Sequence, residues 1–89
     1  MDNSLIVYYI GILKSNVNIL ESILNMIDDD EHYDTITMLL EKTESKLKLA
    51  LDVLHEGIII TDEYTDKVKT FINDEIILRD KFSKMAEKF

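Results

Sequence analysis

Apolar side chains recur at alternating steps of four and three residues through the first third of this chain. The series begins at Ile6 and reaches Ile27 without a missed position. Such spacing puts every member on one stripe of an α-helix, whereas a half-buried β-strand needs an apolar residue at every second position. We therefore expect a helix over residues 4–27, although the run Leu5–Leu13 alone has the Ile, Val and Tyr content typical of a strand.

Two further stripes with the same spacing follow, and they predict helices over residues 31–56 and 62–88. Their members are Ile36, Leu40, Thr43, Leu47, Ala50 and Leu54 in one, and Tyr64, Val68, Phe71, Glu75, Leu78, Phe82, Met85 and Phe89 in the other. Proline is absent and glycine occurs twice, so an all-β fold would lack residues for its tight turns. We expect one all-α domain over residues 1–89, a small antiparallel three-helix bundle with up-down-up order.

The start of the second helix is marked by acidic residues, which favour the positive end of a helix dipole. Asp28 followed by Glu31 resembles a capping box, and Asp34 is a rival N-cap. The end of this helix is predicted by His55 and by Gly57 just beyond it.

The connection to the third helix contains three isoleucines, residues 58–60, which we expect to pack against one end of the bundle. Thr61 is the expected N-cap of the third helix. Within that helix, Ile72 and Ile76 widen the apolar stripe around Glu75. We therefore expect Glu75 to lie at the margin of the stripe and to pair with Arg79 at i+4.

The first helix carries a second apolar stripe beside the first, interrupted only by Asn16. Two interpretations are open. In the first, this helix is central and the other two helices cover both of its stripes. In the second, the apolar stripe of the second helix is too narrow at Thr43 and Ala50 to cover the second stripe of the first helix, which then forms an exposed apolar flank. In the second case a partner chain, or another copy in a homo-oligomer, completes the core. The candidate partner-binding residues on this flank are Leu5, Tyr8, Tyr9, Ile12, Ile19, Ile23 and Met26.

Charge is strongly negative and unevenly distributed. The net charge is -8, with four lysines against fourteen acids in residues 1–66 and six basic against four acidic residues in residues 67–89. Binding to phosphate backbones needs clustered positive charge, so a direct nucleic-acid partner is not expected. An acidic domain instead favours basic protein surfaces.

No arrangement of residues predicts catalysis or a cofactor. The chain has no cysteine, and His55 begins a sequence that resembles a zinc-protease motif but has Ile59 where the second histidine is required. The acidic run also fails as a calcium loop, because Tyr33 and Leu39 stand where glycine and glutamate are needed. We expect no enzyme, no metal site and no cofactor.

The apolar run near the N-terminus does not have the features of a membrane-spanning helix or a secretory signal. The run Leu5–Leu13 is about half of the roughly 20 residues that a membrane-spanning helix needs. It is preceded by Asp2 rather than by the basic residues of a secretory signal. We expect no membrane association and a cytoplasmic location.

Two functions are consistent with these features. The first is a small interaction module, such as an adaptor, chaperone or regulator, that binds another protein or itself as a homodimer through the apolar flank. The second is an acidic decoy or inhibitor that presents carboxylates to a basic protein. The candidate acidic patch for the second function is Asp28, Asp29, Asp30, Glu31 and Asp34.

Overall fold

A computed structural model of the chain describes residues 3–58 and 61–89, which form three α-helices. The helices are α1 (Ser4–Leu24), α2 (Asp30–His55) and α3 (Asp62–Lys88), and the described residues contain no β-strand. The all-α prediction is therefore confirmed. Two of the three isoleucines in the connection before α3, Ile59 and Ile60, lie outside the described residues.

The order of the helices follows from two core clusters. The first core cluster joins the N-terminal half of α1 to Ala50 near the end of α2 and to Val68 near the start of α3. The second core cluster joins Leu20 and Ile23 of α1 to Ile36 near the start of α2 and to Phe82 near the end of α3. Thus α2 runs antiparallel to α1 and α3 runs parallel to it, which confirms the three-helix bundle.

Helix α1 lies between the other two helices. Its backbone packs against both α2 and α3, whereas no Cα of α2 comes within 8 Å of a Cα of α3 in the described parts of these helices. The molecule measures 46 × 21 × 15 Å, so its cross-section is wider than it is deep. None of the described helices has a stretch both long and apolar enough to cross a membrane.

The helix ends follow side-chain hydrogen bonds to free backbone N–H groups. Asp29 is the N-cap of α2 and accepts from the backbone N–H of His32 at 2.8 Å. The predicted caps Asp28 and Asp34 are therefore wrong. The predicted cap Thr61 is confirmed, since its hydroxyl accepts from the N–H of Tyr64 at 3.4 Å.

Helix α1 is shorter than its apolar pattern predicts. It ends at Leu24, Asn25 is the C-cap, and Ile27 lies in the connection. Ile27 still packs against the second core cluster. The apolar spacing therefore continues beyond the helix because it records burial, which does not require the backbone to be helical.

Candidate functional site

An open apolar groove runs between α2 and α3 in the half of the bundle that holds the first core cluster. Ile6 and Tyr9 of α1 line its floor, and Ile58 of the connection also contributes. The α2 wall consists of Lys46, Leu49, Ala50 and Val53, and the α3 wall of Tyr64, Val68, Phe71, Asp74 and Glu75. The groove has a volume of about 520 Å³, within the range of sites that hold ligands or partner side chains.

The groove is open because its walls combine a small buried side chain with large exposed ones. Ala50 is buried against α1 but adds little bulk to the α2 wall. Leu49 is 67% exposed and Phe71 is 48% exposed, so the rims present aliphatic and aromatic carbon to solvent. Tyr9 stacks on Phe71 with ring centroids 6.2 Å apart and an interplanar angle of 29°. Apolar surface of this kind is typical of a contact site.

The floor of the groove lies in a negative electrostatic field. Burial raises the pKa of Tyr9, and the nearby charges of Glu75 and Asp74 raise it further. The phenol ring therefore stays neutral under physiological conditions. The same effect indicates that negative potential from the two carboxylates reaches the floor.

A polar layer crosses the middle of the bundle and consists of Asn16, Glu75 and Lys46. The Asn16 amide nitrogen donates to the Glu75 Oε1 at 3.1 Å and to the Glu75 backbone carbonyl at 3.2 Å. Lys46 Nζ donates to Glu75 Oε2 at 2.9 Å. Glu75 is 1% exposed, so the predicted marginal position and pairing with Arg79 are wrong.

The polar layer links all three helices and separates the two core clusters. Asn16 belongs to α1, Lys46 to α2 and Glu75 to α3. Lys46 and Glu75 also line the groove, so the layer forms its polar end near the middle of the bundle. A buried carboxylate is tolerated here because it accepts from both a lysine and an amide.

The acceptors of the polar layer are not fully satisfied. Asn16 is completely buried, and its Oδ1 has no hydrogen-bond partner within the described residues. Asp74 lies beside the layer on the groove wall, and it is exposed and forms no ion pair with any described residue. The groove therefore ends in more carboxylate charge than Lys46 alone balances.

The predicted partner-binding flank of α1 is divided between buried and exposed positions. Tyr9, Ile12 and Ile23 are buried, and Leu5 and Ile19 are half-buried against the core clusters. The two remaining members, Tyr8 and Met26, are exposed. Tyr9 is thus the one member that lines the groove.

These positions favour the first of the two interpretations of the double stripe. Because α1 lies between α2 and α3, the chain's own helices cover Ile12 and Ile23. Their apolar character therefore needs no second copy to explain it. Exposed apolar side chains also line the groove, at Leu49, Phe71 and Tyr64, where they lie next to one another.

All five residues of the predicted acidic patch are exposed, on α2's first turns and the connection before them. Asp29 has a structural role as the N-cap. Hydrogen bonds from the His32 backbone N–H and from its ring hold the pKa of Asp29 below its ordinary range. In the described part of the chain, no group of three or more His, Asp or Glu side chains is placed so that it could hold a metal ion.

The apolar pattern alone did not identify Leu49, Asp74 or the polar layer. Leu49 lies off the stripe of α2, and whether it flanks a groove depends on the rotation of α2 about its axis. A signal for the polar layer was present, because Asn16 and Glu75 are each the single interruption of an apolar stripe. Two such interruptions on neighbouring helices can satisfy each other, as these two do.

Comparison with known proteins assigns no family to this chain. Searches against protein-family models, curated proteins and solved structures gave no significant match. The groove and the polar layer are therefore interpreted from their own chemistry.

Proposed function

We propose that this protein is a non-enzymatic interaction module of the cytoplasm, which binds an amphipathic helix of another polypeptide in the groove between α2 and α3. The observation that carries the proposal is the groove itself, with Tyr9 on its floor and exposed Leu49 and Phe71 on its rims. Binding an apolar helix face in a groove between helices is a recurring mode of peptide recognition.

The dimensions of the groove favour a helix as its occupant. From Tyr64 to Glu75 the α3 wall rises by about 16 Å, or roughly three helical turns. No Cα of α2 lies within 8 Å of a Cα of α3 in the described parts of these helices, so the groove is open on one side. A small ligand would leave more of its own surface in water than is usual for such molecules, whereas a helix needs to bury one face alone.

The chemistry of the walls favours binding over catalysis. Along its described length, the groove is lined by apolar residues together with Lys46, Asp74 and Glu75, and two of these three charged groups are already paired with each other. Burial of an exposed leucine or phenylalanine contributes about 1.5–3 kcal/mol. Leu49 and Phe71 are therefore the expected energetic centre of the interface, because both are large apolar side chains that are exposed on the rims.

A neutral model peptide tests this proposal. The probe is a fluorescent amphipathic helix of about fifteen residues, with leucine at positions i, i+3, i+4 and i+7 and glutamine elsewhere, titrated with the protein by fluorescence anisotropy. We expect binding that weakens at least about tenfold in Leu49→Ser or Phe71→Ser, which corresponds to about 1.4 kcal/mol.

Met38→Ser is the matched control, because Met38 is an exposed apolar residue of α2, 63% accessible, outside the groove lining. It should bind the peptide as the wild type does. Equal weakening by Met38→Ser and Leu49→Ser would contradict the assignment of binding to the groove.

The acidic decoy is a second candidate function. Its support is the exposure of Asp28, Asp30, Glu31 and Asp34, none of which pairs with a cation among the described residues. Changing these four residues to Asn or Gln while leaving the Asp29 cap intact should weaken binding to a basic target protein. Binding that persisted in this variant but was lost in Leu49→Ser would favour the groove.

A further inference from the structure

We infer that the occupant of the groove is a cationic amphipathic helix, whose lysine or arginine docks at the Asp74 and Glu75 end while its apolar face lies on Tyr9, Leu49 and Phe71. This inference rests on the proposed function and adds the chemical class and the register of the partner. Three observations support it, namely the charges at the polar end, the field on the floor and the net charge of the chain.

The polar end of the groove has an excess of negative charge. Asp74 and Glu75 both line it, and Lys46 is the single cation among the described lining residues. Lys46 is committed to Glu75 at 2.9 Å, which leaves the exposed Asp74 carboxylate without an ion-pair partner among the described residues. An incoming ammonium or guanidinium group at this position would neutralise Asp74 and gain charge-assisted hydrogen bonds.

The negative field extends from that end to the apolar floor. Glu75 and Asp74 both contribute to the raised pKa of Tyr9, after burial as the largest cause. An acidic side chain on the occupant would enter this field at a cost, whereas a basic one is attracted. The groove therefore discriminates by charge as well as by shape.

The net charge of the chain disfavours a second copy as the occupant. Each copy carries -8, so two copies repel each other as they approach, and the groove offers one more unpaired carboxylate to that contact. A basic partner gains from the same field. Charge complementarity therefore favours a cationic helix over self-association.

The positions along α3 set the register of the partner. Phe71 lies about one turn from Asp74, and Tyr64 lies about two turns further. A partner helix with its cation opposite Asp74 therefore needs an apolar residue three or four positions away to face Phe71, and another ten or eleven positions away to face the Tyr64 end. The expected pattern is one basic residue at the end of an i, i+3, i+4, i+7 apolar face.

Two charged versions of the neutral leucine peptide test the inference. One carries lysine at the end of the apolar face, the other carries glutamate at the same position, and all other residues are identical. At low salt we expect the lysine peptide to bind the wild-type protein about tenfold more tightly than the glutamate peptide. Asp74→Asn should reduce that ratio to about threefold or less.

Asp66→Asn provides the matched control. Asp66 is an exposed aspartate on the same helix but outside the groove lining, so its substitution changes the net charge by the same amount. The ratio should remain about tenfold in this variant. If Asp66→Asn reduced the ratio as much as Asp74→Asn, the preference would be a property of overall charge and the inference would be overturned.

Other outcomes separate this inference from the function on which it rests. If the neutral, lysine and glutamate peptides bound equally and all depended on Leu49, the cationic partner would be rejected and the proposed function retained. If none of the three bound, both would fail. A dimer by light scattering that Leu49→Ser converts to a monomer would identify a second copy as the occupant and overturn the inference.

Discussion

The Asn16 side-chain amide donates to the Glu75 carboxylate at 3.1 Å, and so joins two residues that are 59 positions apart in the chain. A second bond from the same nitrogen to the Glu75 backbone carbonyl fixes the amide against α3. Because both groups are buried, sliding α3 along α1 by one turn would leave each without its partner. The pair therefore sets the register of α1 and α3.

Removal of the Glu75 side chain should be costly. In Glu75→Ala, the buried Asn16 amide loses its side-chain acceptor and a cavity forms between the two core clusters. We expect a decrease of about 3 kcal/mol in the free energy of unfolding, measured by urea titration. Glu75→Gln retains an oxygen acceptor for Asn16 and should lose less. A smaller loss in Glu75→Ala than in Glu75→Gln would contradict this account of the layer.

Replacement of the whole buried pair should have the opposite effect. The double variant Asn16→Leu with Glu75→Leu removes both buried partners together. Lys46 loses its ion pair, but its side chain is 40% exposed and stays hydrated. We expect stability equal to or above that of the wild type, because apolar substitutes for buried ionic pairs are often neutral or stabilising. Urea unfolding of the double variant and both single variants forms a complete cycle. A double variant less stable than the wild type would mean that the layer contributes net stability.

The two glycines should respond to alanine in opposite directions. Gly57 has a φ of 63°, in the left-handed region, so Gly57→Ala should destabilise by about 1 kcal/mol. Gly11 lies inside α1, and a Cβ there would meet nothing within 4 Å, so Gly11→Ala should stabilise by about 0.5–1 kcal/mol. Thermal unfolding of both variants measures whether each one gains or loses stability. An increase in stability in Gly57→Ala would contradict a left-handed backbone conformation at this position.

Acid stability should depend on Asp29. Hydrogen bonds from His32 lower its pKa in the folded state, so its contribution is present above the unfolded pKa of about 3.9 and is lost as pH falls through the folded-state value. Asp29→Asn keeps an oxygen for the cap but does not titrate. The free energy of unfolding of this variant should therefore decrease less steeply with falling pH than that of the wild type, below about pH 4.

Urea midpoints measured between neutral and acidic pH would check this dependence. Asp28→Asn, at the neighbouring exposed residue, serves as the control and should retain the wild-type slope. If the urea midpoint of Asp29→Asn fell with pH as steeply as that of the wild type, protonation of the Asp29 carboxyl would not affect the stability of the fold.

Much of the fold follows from the spacing of apolar residues, because that spacing reports which face of each helix is covered. The observed α2 and α3 differ from the expected ranges by no more than one residue at each end. The pattern overextended α1 to residue 27, since Ile27 is covered by the core without being helical. The central place of α1 was one of two open interpretations of its double stripe.

The candidate site was harder to predict, because it depends on the distance between α2 and α3. The sequence shows that the apolar stripe of α2 has a small residue at Ala50. It does not show whether this small residue leaves the flank of α1 exposed or leaves a groove between α2 and α3. Local rules also paired Glu75 with Arg79 on its own helix, whereas its partners come from the other two helices. Both errors arise where tertiary placement outweighs local spacing.

The central position of α1 has a consequence for synthesis on the ribosome. Chains emerge from their N-terminus, and in the described structure α1 is the one helix whose backbone packs against both of the others. Translation therefore completes the shared docking surface before either α2 or α3 appears, so each later helix can pack as soon as it emerges. A shortened nascent chain that lacks α3 would still contain one whole helix interface, whereas a chain without α1 would contain none.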